Sequence, residues 1–388
     1  MTKKYSDGLT NGSEGDSSAD STPTKSVPFS PVFLVQVSDA VKDGDTLQFT
    51  IMVTRVGEEN GAVVTRVFED LEWLHHCLIT QNSVDGLIVP PLPSRPEVDP
   101  RSAESKSKKQ LGSDTKILKG DEFSKDCRTV EKYLRLILKH ESFGRDEALS
   151  KFLTEKEAPV RAKLKKGIMT RFSSTVEGVR KGGHRDIEDY FQKKREWAAE
   201  WGKSMKDVSG NFNKMVCAQY RVAGSFTHLA TALTWTGAYK DDATVEINKV
   251  FSKLSEALDD ARHGLEVLCN NDEKTLGFQL DLYARYSDSL KDMLLRRTCL
   301  LIDYEDANKA LDKAKPPKLQ AAEEQKEAAE KAYENCTENA RREMKLFLQQ
   351  RLLSFEEGMT SFAESQIKTA RDTYTLLMSS LSAVKQMN

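Results

Sequence analysis

The sequence predicts a small α+β domain followed by an elongated all-α bundle of three long helices. Three observations carry that reading: β-branched and aromatic runs are confined to the first third, four prolines interrupt the chain soon after them, and a long, nearly proline-free stretch follows.

Residues 1–28 are polar and rich in Ser, Thr and Gly, with too few large apolar groups to offset the entropy of ordering, so a disordered tail is expected. From Val32 the texture changes. Val32 to Val37, Leu47 to Val53 and Ala62 to Thr65 are short strand-like runs, separated by Asp43-Gly44-Asp45 and Glu58-Glu59-Asn60-Gly61. A three-stranded antiparallel meander follows. Glu69 to Leu78 has helical spacing, and Pro90, Pro91, Pro93 and Pro96 then enforce an extended loop. Residues from about 97 to 120 are charged, with Lys106, Lys108, Lys109, Lys116 and Lys119, and composition reads them as an exposed, solvated insertion. Val130, Tyr133, Leu134, Ile137 and Leu138 put one apolar face on a helix between Asp121 and Leu153, which would close the first domain at about residue 155.

Beyond residue 159 the only prolines are the adjacent Pro316-Pro317. Tyr333, Cys336, Ala340, Met344, Leu348, Leu352, Phe355, Met359, Phe362, Ala370, Tyr374, Leu377, Leu381 and Val384 form a stripe with Gln366 in its one gap. The mean step of about 3.6 residues is the period of a straight helix. Residues 318–386 would make a rod of roughly 100 Å. Such a rod cannot bury its stripe against itself. Stretches of about 184–237 and 242–314 supply the other two helices, with a hairpin forced at Pro316-Pro317.

Lys plus Arg (58) nearly cancel Asp plus Glu (60), so no whole-chain charge points to nucleic acid. The six cysteines are dispersed, without CxxC or zinc-like spacing, and read as reduced thiols of a cytosolic protein. No apolar run approaches the roughly 20 residues that span a bilayer. No phosphate-loop or dinucleotide motif occurs, and His75-His76 has no acid or Cys set out as a triad. Neither enzyme, metal site nor cofactor is expected.

Phe68 to His75, followed by Gly86-Leu87-Ile88-Val89-Pro90-Pro91-Leu92-Pro93, resembles the PX domain of sorting nexins. Leu294-Leu295-Arg296-Arg297-Thr298 leading into Asp303 to Ala314 is similar to the BAR domain of the sorting nexin five/six subgroup. The resemblance implies a PX domain at 29–155, a linker at 156–183 and a BAR domain at 184–388 that dimerises into a crescent. It also implies endosome-to-Golgi (retrograde) sorting and tubule formation at the cytosolic face of early endosomes, and pairing with itself or with a one/two-type sorting nexin.

In the family's phosphoinositide pocket an arginine precedes the ring-stacking aromatic; Phe68 keeps the aromatic, whereas Val67 holds the arginine's place. A valine cannot neutralise phosphate. Arg66 would point to the opposite face of its strand. Asp126 stands where a basic residue is usual, seven positions before Tyr133, which leaves Arg95 as the remaining phosphate ligand. Recognition of phosphatidylinositol 3-phosphate is expected to be weak or absent. The segment between Pro96 and Tyr133 is shorter than the helical insertion with which that subgroup binds receptor tails.

Two further features suit membranes. Residues 160–181 combine Leu164, Ile168, Phe172, Val176 and Val179 with Lys163, Lys165, Lys166 and Arg171, the pattern of a helix lying in a bilayer interface. Lys309, Lys313, Lys315 and Lys318 gather at the predicted tip of the rod, where each cation near an anionic leaflet contributes about 1 kcal/mol. Anionic, phosphoinositide-containing membrane is the expected partner. A lipid-independent helical scaffold or motor adaptor is the competing class.

Overall fold

The computed structural model describes residues 29–111, 123–159, 183–235 and 242–386. Strands β1 (Phe33–Asp43), β2 (Thr46–Arg55) and β3 (Ala62–Val67) pair antiparallel in the order β1-β2-β3. Alternation along β2 sends Leu47, Phe49, Ile51 and Val53 into the core, while Leu34, Met52 and Val63 stay exposed on the other face. A register shift between Val37 and Asp39 breaks the β1 pairing.

Four helices complete this domain: α1 (Phe68–Gln81), α2 (Pro100–Leu111), α3 (Ser124–Lys139) and α4 (Glu147–Thr154). The Asp70 carboxylate accepts from the Val67 amide at the start of α1, and Asp146 caps α4 by accepting from Ala148 and Leu149. Helix α3 has two working faces. Cys127, Val130, Tyr133, Leu134, Ile137 and Leu138 pack into the domain core, and Arg128, Lys132, Leu136 and His140, four residues apart, form a second, half-buried row.

The expected solvated insertion is corrected in part. Residues 100–111 are helical, α2 lies against the long helix Asp189–Trp235, and Ser107 is buried. A row of lysines with a buried serine among them is an amphipathic helix whose second face has a partner, information a composition count does not carry.

The bundle consists of α5 (Asp189–Trp235), α6 (Asp242–Lys274), α7 (Leu276–Asp312) and α8 (Leu319–Lys385), with a 3-10 turn at Pro316–Lys318 before α8. The second of the three expected helices is thus two, broken at Thr275, whose φ of −101° and ψ of −103° lie outside the helical region. Helix α8 is 67 residues long and runs back along both α7 and α6.

The stripe on α8 behaves differently along its length. Tyr333, Cys336, Ala340 and Met344 are buried, whereas Leu352, Met359, Tyr374, Leu377 and Leu381 are exposed in the single chain. The C-terminal part of the expected apolar seam is therefore largely uncovered within one copy.

Candidate lipid cleft and the basic end of the bundle

A cleft of about 350 Å³ opens where the family's inositol pocket is expected, with Phe68, Glu69, Arg95, Asp45 and Asp99 among its walls. The Arg95 guanidinium lies 5.1 Å from the centre of the Phe68 ring, over the face expected to receive an inositol. Its NH1 and NH2 donate to Glu69 Oε1 and Glu72 Oε2 at 2.5 and 2.7 Å. The expected phosphate ligand thus has its charge answered by two carboxylates. Val67 supplies the backbone entrance to α1, and Asp126 sits in the first turn of α3. Phe68 and Arg95 are brought together; Val67 and Asp126 add no cation to them.

Arg66 does turn away from the cleft. It is 1% exposed, donates from Nε to Phe152 O (2.9 Å) and through NH2 to Glu155 O, and stacks on the Phe152 ring. Its guanidinium ties the end of α4 to β3. His75 is a core histidine bonded through Nδ1 to the Tyr133 hydroxyl at 2.9 Å, and burial lowers its pKa to about 4. Among the described residues no group of His, Cys, Asp or Glu could hold a metal ion, and no described helix is long and apolar enough to cross a membrane.

The proline-rich loop performs a task that its sequence does not announce. Extended backbone alternates sides, so Leu87 and Val89 enter the core of the first domain while Ile88 enters that of the bundle. Gly86, at φ +79°, lies so close to Cys336, Asn339 and Ala340 of α8 that a Cβ would overlap them. Bundle side chains bond the loop's backbone. Arg296 NH2 donates to Leu87 O (2.7 Å), Arg285 NH1 to Leu92 O (3.4 Å), Asn339 Nδ2 to Asp85 O (3.4 Å), and the Ile88 amide donates to Glu343 Oε2 (3.3 Å).

Arg297, beside Arg296, holds the segment that leads into α5. It is 1% exposed; Nε donates to Thr337 Oγ1 (3.0 Å), NH1 to Asp186 Oδ2 (2.5 Å), and NH2 to Glu188 Oε1 (2.6 Å) and the Tyr333 hydroxyl (2.7 Å). Its guanidinium stacks 3.5 Å above the Phe191 ring. Burial pushes the Tyr333 phenol up to about 12, so it keeps its proton and donates to Glu188 Oε1 at 3.1 Å. Nearby, His184 Nε2 lies 3.2 Å from Glu305 Oε2, and Arg195 NH1 donates to His184 O (2.6 Å). Arg296 and Arg297, the doubled arginine of the BAR-like motif, both answer groups of their own chain.

Lys309, Lys313, Lys315 and Lys318 are exposed around the turn between α7 and α8. Lys309 Nζ is 3.0 Å from Asp306 Oδ1, so part of the charge at this end is already met. The amphipathic stretch with Lys163, Leu164, Lys165, Lys166, Ile168, Arg171, Phe172 and Val176 lies outside the described residues. The segment after it, from His184 to Glu188, is docked through Glu305 and Arg297 to the half of the bundle that bears the lysines.

A family model described as BAR domain matches residues 170–384, and one described as PX domain matches residues 54–156. Human sorting nexin-6 is 30% identical over 376 residues, covering 90% of this chain and 91% of that protein. The chain belongs to the PX-BAR sorting nexins. Mouse sorting nexin-32 is 28% identical over 383 residues, covering 90% of this sorting nexin and 92% of its own length. The cryo-EM structure of the SNX-BAR Mvp1 tetramer superposes with a TM-score of 0.50 at 14% identity, over 91% of this chain and 99% of that one, a likeness of fold. The α+β first domain is accordingly the PX domain and the helical bundle the BAR domain.

Proposed function

We propose that this sorting nexin is a dimeric, non-enzymatic peripheral membrane protein that senses or induces curvature on endosomal membranes and serves the endosome-to-Golgi return of receptor cargo. One observation carries the reading. On α8, Leu346, Leu353, Ile367, Tyr374 and Leu381 recur at steps of seven, with Thr360 in the one gap, and all five apolar side chains are exposed. A seven-residue apolar repeat is the pattern that a second helix wraps around, and a contiguous uncovered seam of this kind marks an interface. Helices α5 and α6 add exposed Val222, Leu229, Val250 and Leu254 in the same half of the bundle. The lysines lie at the opposite end, so pairing through the apolar halves leaves a basic tip at each extremity.

Membrane attraction in this reading comes from those tips and from the residue 160–181 stretch. Headgroup choice contributes little, because Arg95 is already paired with Glu69 and Glu72. The partner chain is a second copy or a one/two-type sorting nexin. Leu353→Glu with Ile367→Glu is expected to yield a monomer by sedimentation velocity. Sedimentation with anionic liposomes is expected for the unmodified dimer and to be lost in Ile168→Glu with Phe172→Glu. If the dimer sediments with vesicles of no diameter, the lipid-independent scaffold or motor adaptor replaces the membrane reading.

A further inference from the structure

The segment leading into α5 is held down at every second residue. Along residues 183–188 burial alternates: His184 and Asp186 turn toward the bundle, while Arg185 and Ile187 face outward. His184 Nε2 meets Glu305 Oε2 at 3.2 Å, and the His184 carbonyl accepts from Arg195 NH1. The Asp186 amide donates to Gln192 Oε1 (3.1 Å), its carboxylate is buried against Arg297, and the Glu188 amide donates to Asp186 Oδ1 (3.0 Å). A buried ion pair gains little net stability, because desolvation offsets most of its attraction; what it supplies is a fixed geometry. The geometry fixed here is the outward pose of Ile187, which is 63% exposed.

An exposed apolar side chain standing alone calls for no explanation. Ile187 does not stand alone. Tyr190, three residues on, is 37% exposed, and Arg341 and Lys194 lie over its ring at 5.0 and 5.5 Å. With the exposed Arg185, these cations flank one aliphatic and one aromatic side chain. Of the neighbouring acids, Glu188 already bonds Arg297 and Arg341, and Asp189 sits in the first turn of α5, where the helix dipole favours it. The patch also has a definite place on the rod. Glu305, which holds His184, is one turn from Lys309 on the same face of α7, and Lys313 follows, about 6 and 12 Å along the axis. An isoleucine and a tyrosine among cations, in line with a row of lysines, suit a headgroup boundary: the apolar parts enter, the phenol stays at the interface and the cations meet phosphate.

We propose that Ile187 and Tyr190, flanked by Arg185, Lys194 and Arg341, form a membrane wedge that the Arg297 and Glu305 contacts hold at the basic end of the bundle. Its ligand is a leaflet with anionic headgroups. The cations pair with phosphate, and Ile187 enters the layer beneath them. An acidic protein would answer the cations alone; a leaflet answers the charge and the apolar side chain together, and continues onto the lysines. The wedge rests on the membrane-curving reading and adds to the tip lysines a point of apolar entry.

The test uses the full-length dimer and vesicles of phosphatidylcholine containing phosphatidylserine. Ile187→Glu is expected to weaken sedimentation with these vesicles about tenfold at low and at high salt, and Ile187→Leu to leave it unchanged. Arg185→Glu is expected to weaken it roughly fivefold at low salt and little at high salt. Sedimentation velocity and thermal unfolding should match the unmodified protein in all three, because both side chains are exposed. In Ile187→Trp, brominated phosphatidylcholine is expected to quench emission beyond what it quenches in the unmodified protein with its four tryptophans. Vesicle binding that is unchanged in Ile187→Glu, or no added quenching in Ile187→Trp, overturns the wedge and hands the patch to an acidic protein partner; the membrane reading then still stands on the unmodified dimer. If the unmodified dimer sediments with no vesicle at all, the membrane reading itself fails and the wedge falls with it.

Discussion

Replacing Arg297 with alanine is expected to be the most damaging single change in the bundle. The side chain makes hydrogen bonds to Thr337, Asp186, Glu188 and Tyr333 and covers the Phe191 ring, and the Asp186 carboxylate it meets is 0% exposed. Alanine leaves that carboxylate buried without its countercharge, and removing one partner of a buried pair costs about 3 to 5 kcal/mol. Asp186 Oδ1 would still accept from the Glu188 amide, which holds the loss toward the lower end. Lys206→Ala is the internal control. Lys206 Nζ sits 2.8 Å from Asp288, but both side chains are more than half exposed, and such pairs contribute about 1 kcal/mol or less. Arg297→Lys should fall between the two, because a lysine keeps the charge and loses the planar fork that reaches several acceptors at once. Urea unfolding followed by circular dichroism, which is dominated by the helices of this chain, measures all three. A loss below about 1 kcal/mol in Arg297→Ala, or one equal to that of Lys206→Ala, would refute the view that this arginine fastens residues 184–188 to the bundle.

The PX domain should lose stability on acidification through His75: its folded pKa of about 4 lies below the ordinary 6.5, so the unfolded chain takes up the proton first. The contribution is complete above pH 6.5, declines as pH falls and is gone near pH 4, up to roughly 3 kcal/mol, and His75→Gln should flatten thermal unfolding over that window. In the cleft, Val67→Arg with Glu69→Ser should raise affinity for soluble phosphatidylinositol 3-phosphate headgroup by calorimetry, and tight binding by the unmodified protein would contradict the reading of Arg95. At the tip, Lys313→Glu with Lys315→Glu should weaken liposome sedimentation at low ionic strength and have little effect once the Debye length falls below about 8 Å.

The fold was largely legible because each element carries its own local pattern. Phe49 and Ile51 alternate with polar neighbours on β2, and Pro316-Pro317 marks the last hairpin, so one-dimensional periodicity suffices for both. Thr275 was hidden for the converse reason. Neither it nor its neighbours is a proline, and a single glycine at 277 is tolerated within a helix; the break lies where Gly277 packs on Phe212, Gln279 on Gly358 and Asp272 accepts from Gln366, contacts with residues far away in sequence. The α8 stripe was read as one seam because a helix pattern states that a face is apolar without saying what covers it.

The cleft shows where a substitution pattern ends and geometry begins. Val67 at the place of the family's arginine was visible in the sequence, and with it the expectation of one phosphate ligand fewer. That Arg95 is also paired could not be read, since Glu69 looks like an ordinary first-turn acid of α1, where the helix dipole favours it, and Glu72 like an acid on the helix surface. Only when the proline loop returns over α1 do these acids meet the guanidinium, at 2.5 and 2.7 Å. Arg296 and Arg297 present the same difficulty in reverse. Two adjacent exposed-looking cations on a helix suggest a surface for a partner, yet successive helical positions point about 100° apart, so one reaches the PX loop and the other the segment before α5. Adjacent residues on one helix thus serve two different parts of the chain. That division is what the doubled arginine of the motif achieves: the bundle holds the PX loop and the segment leading into α5 from a single turn of α7.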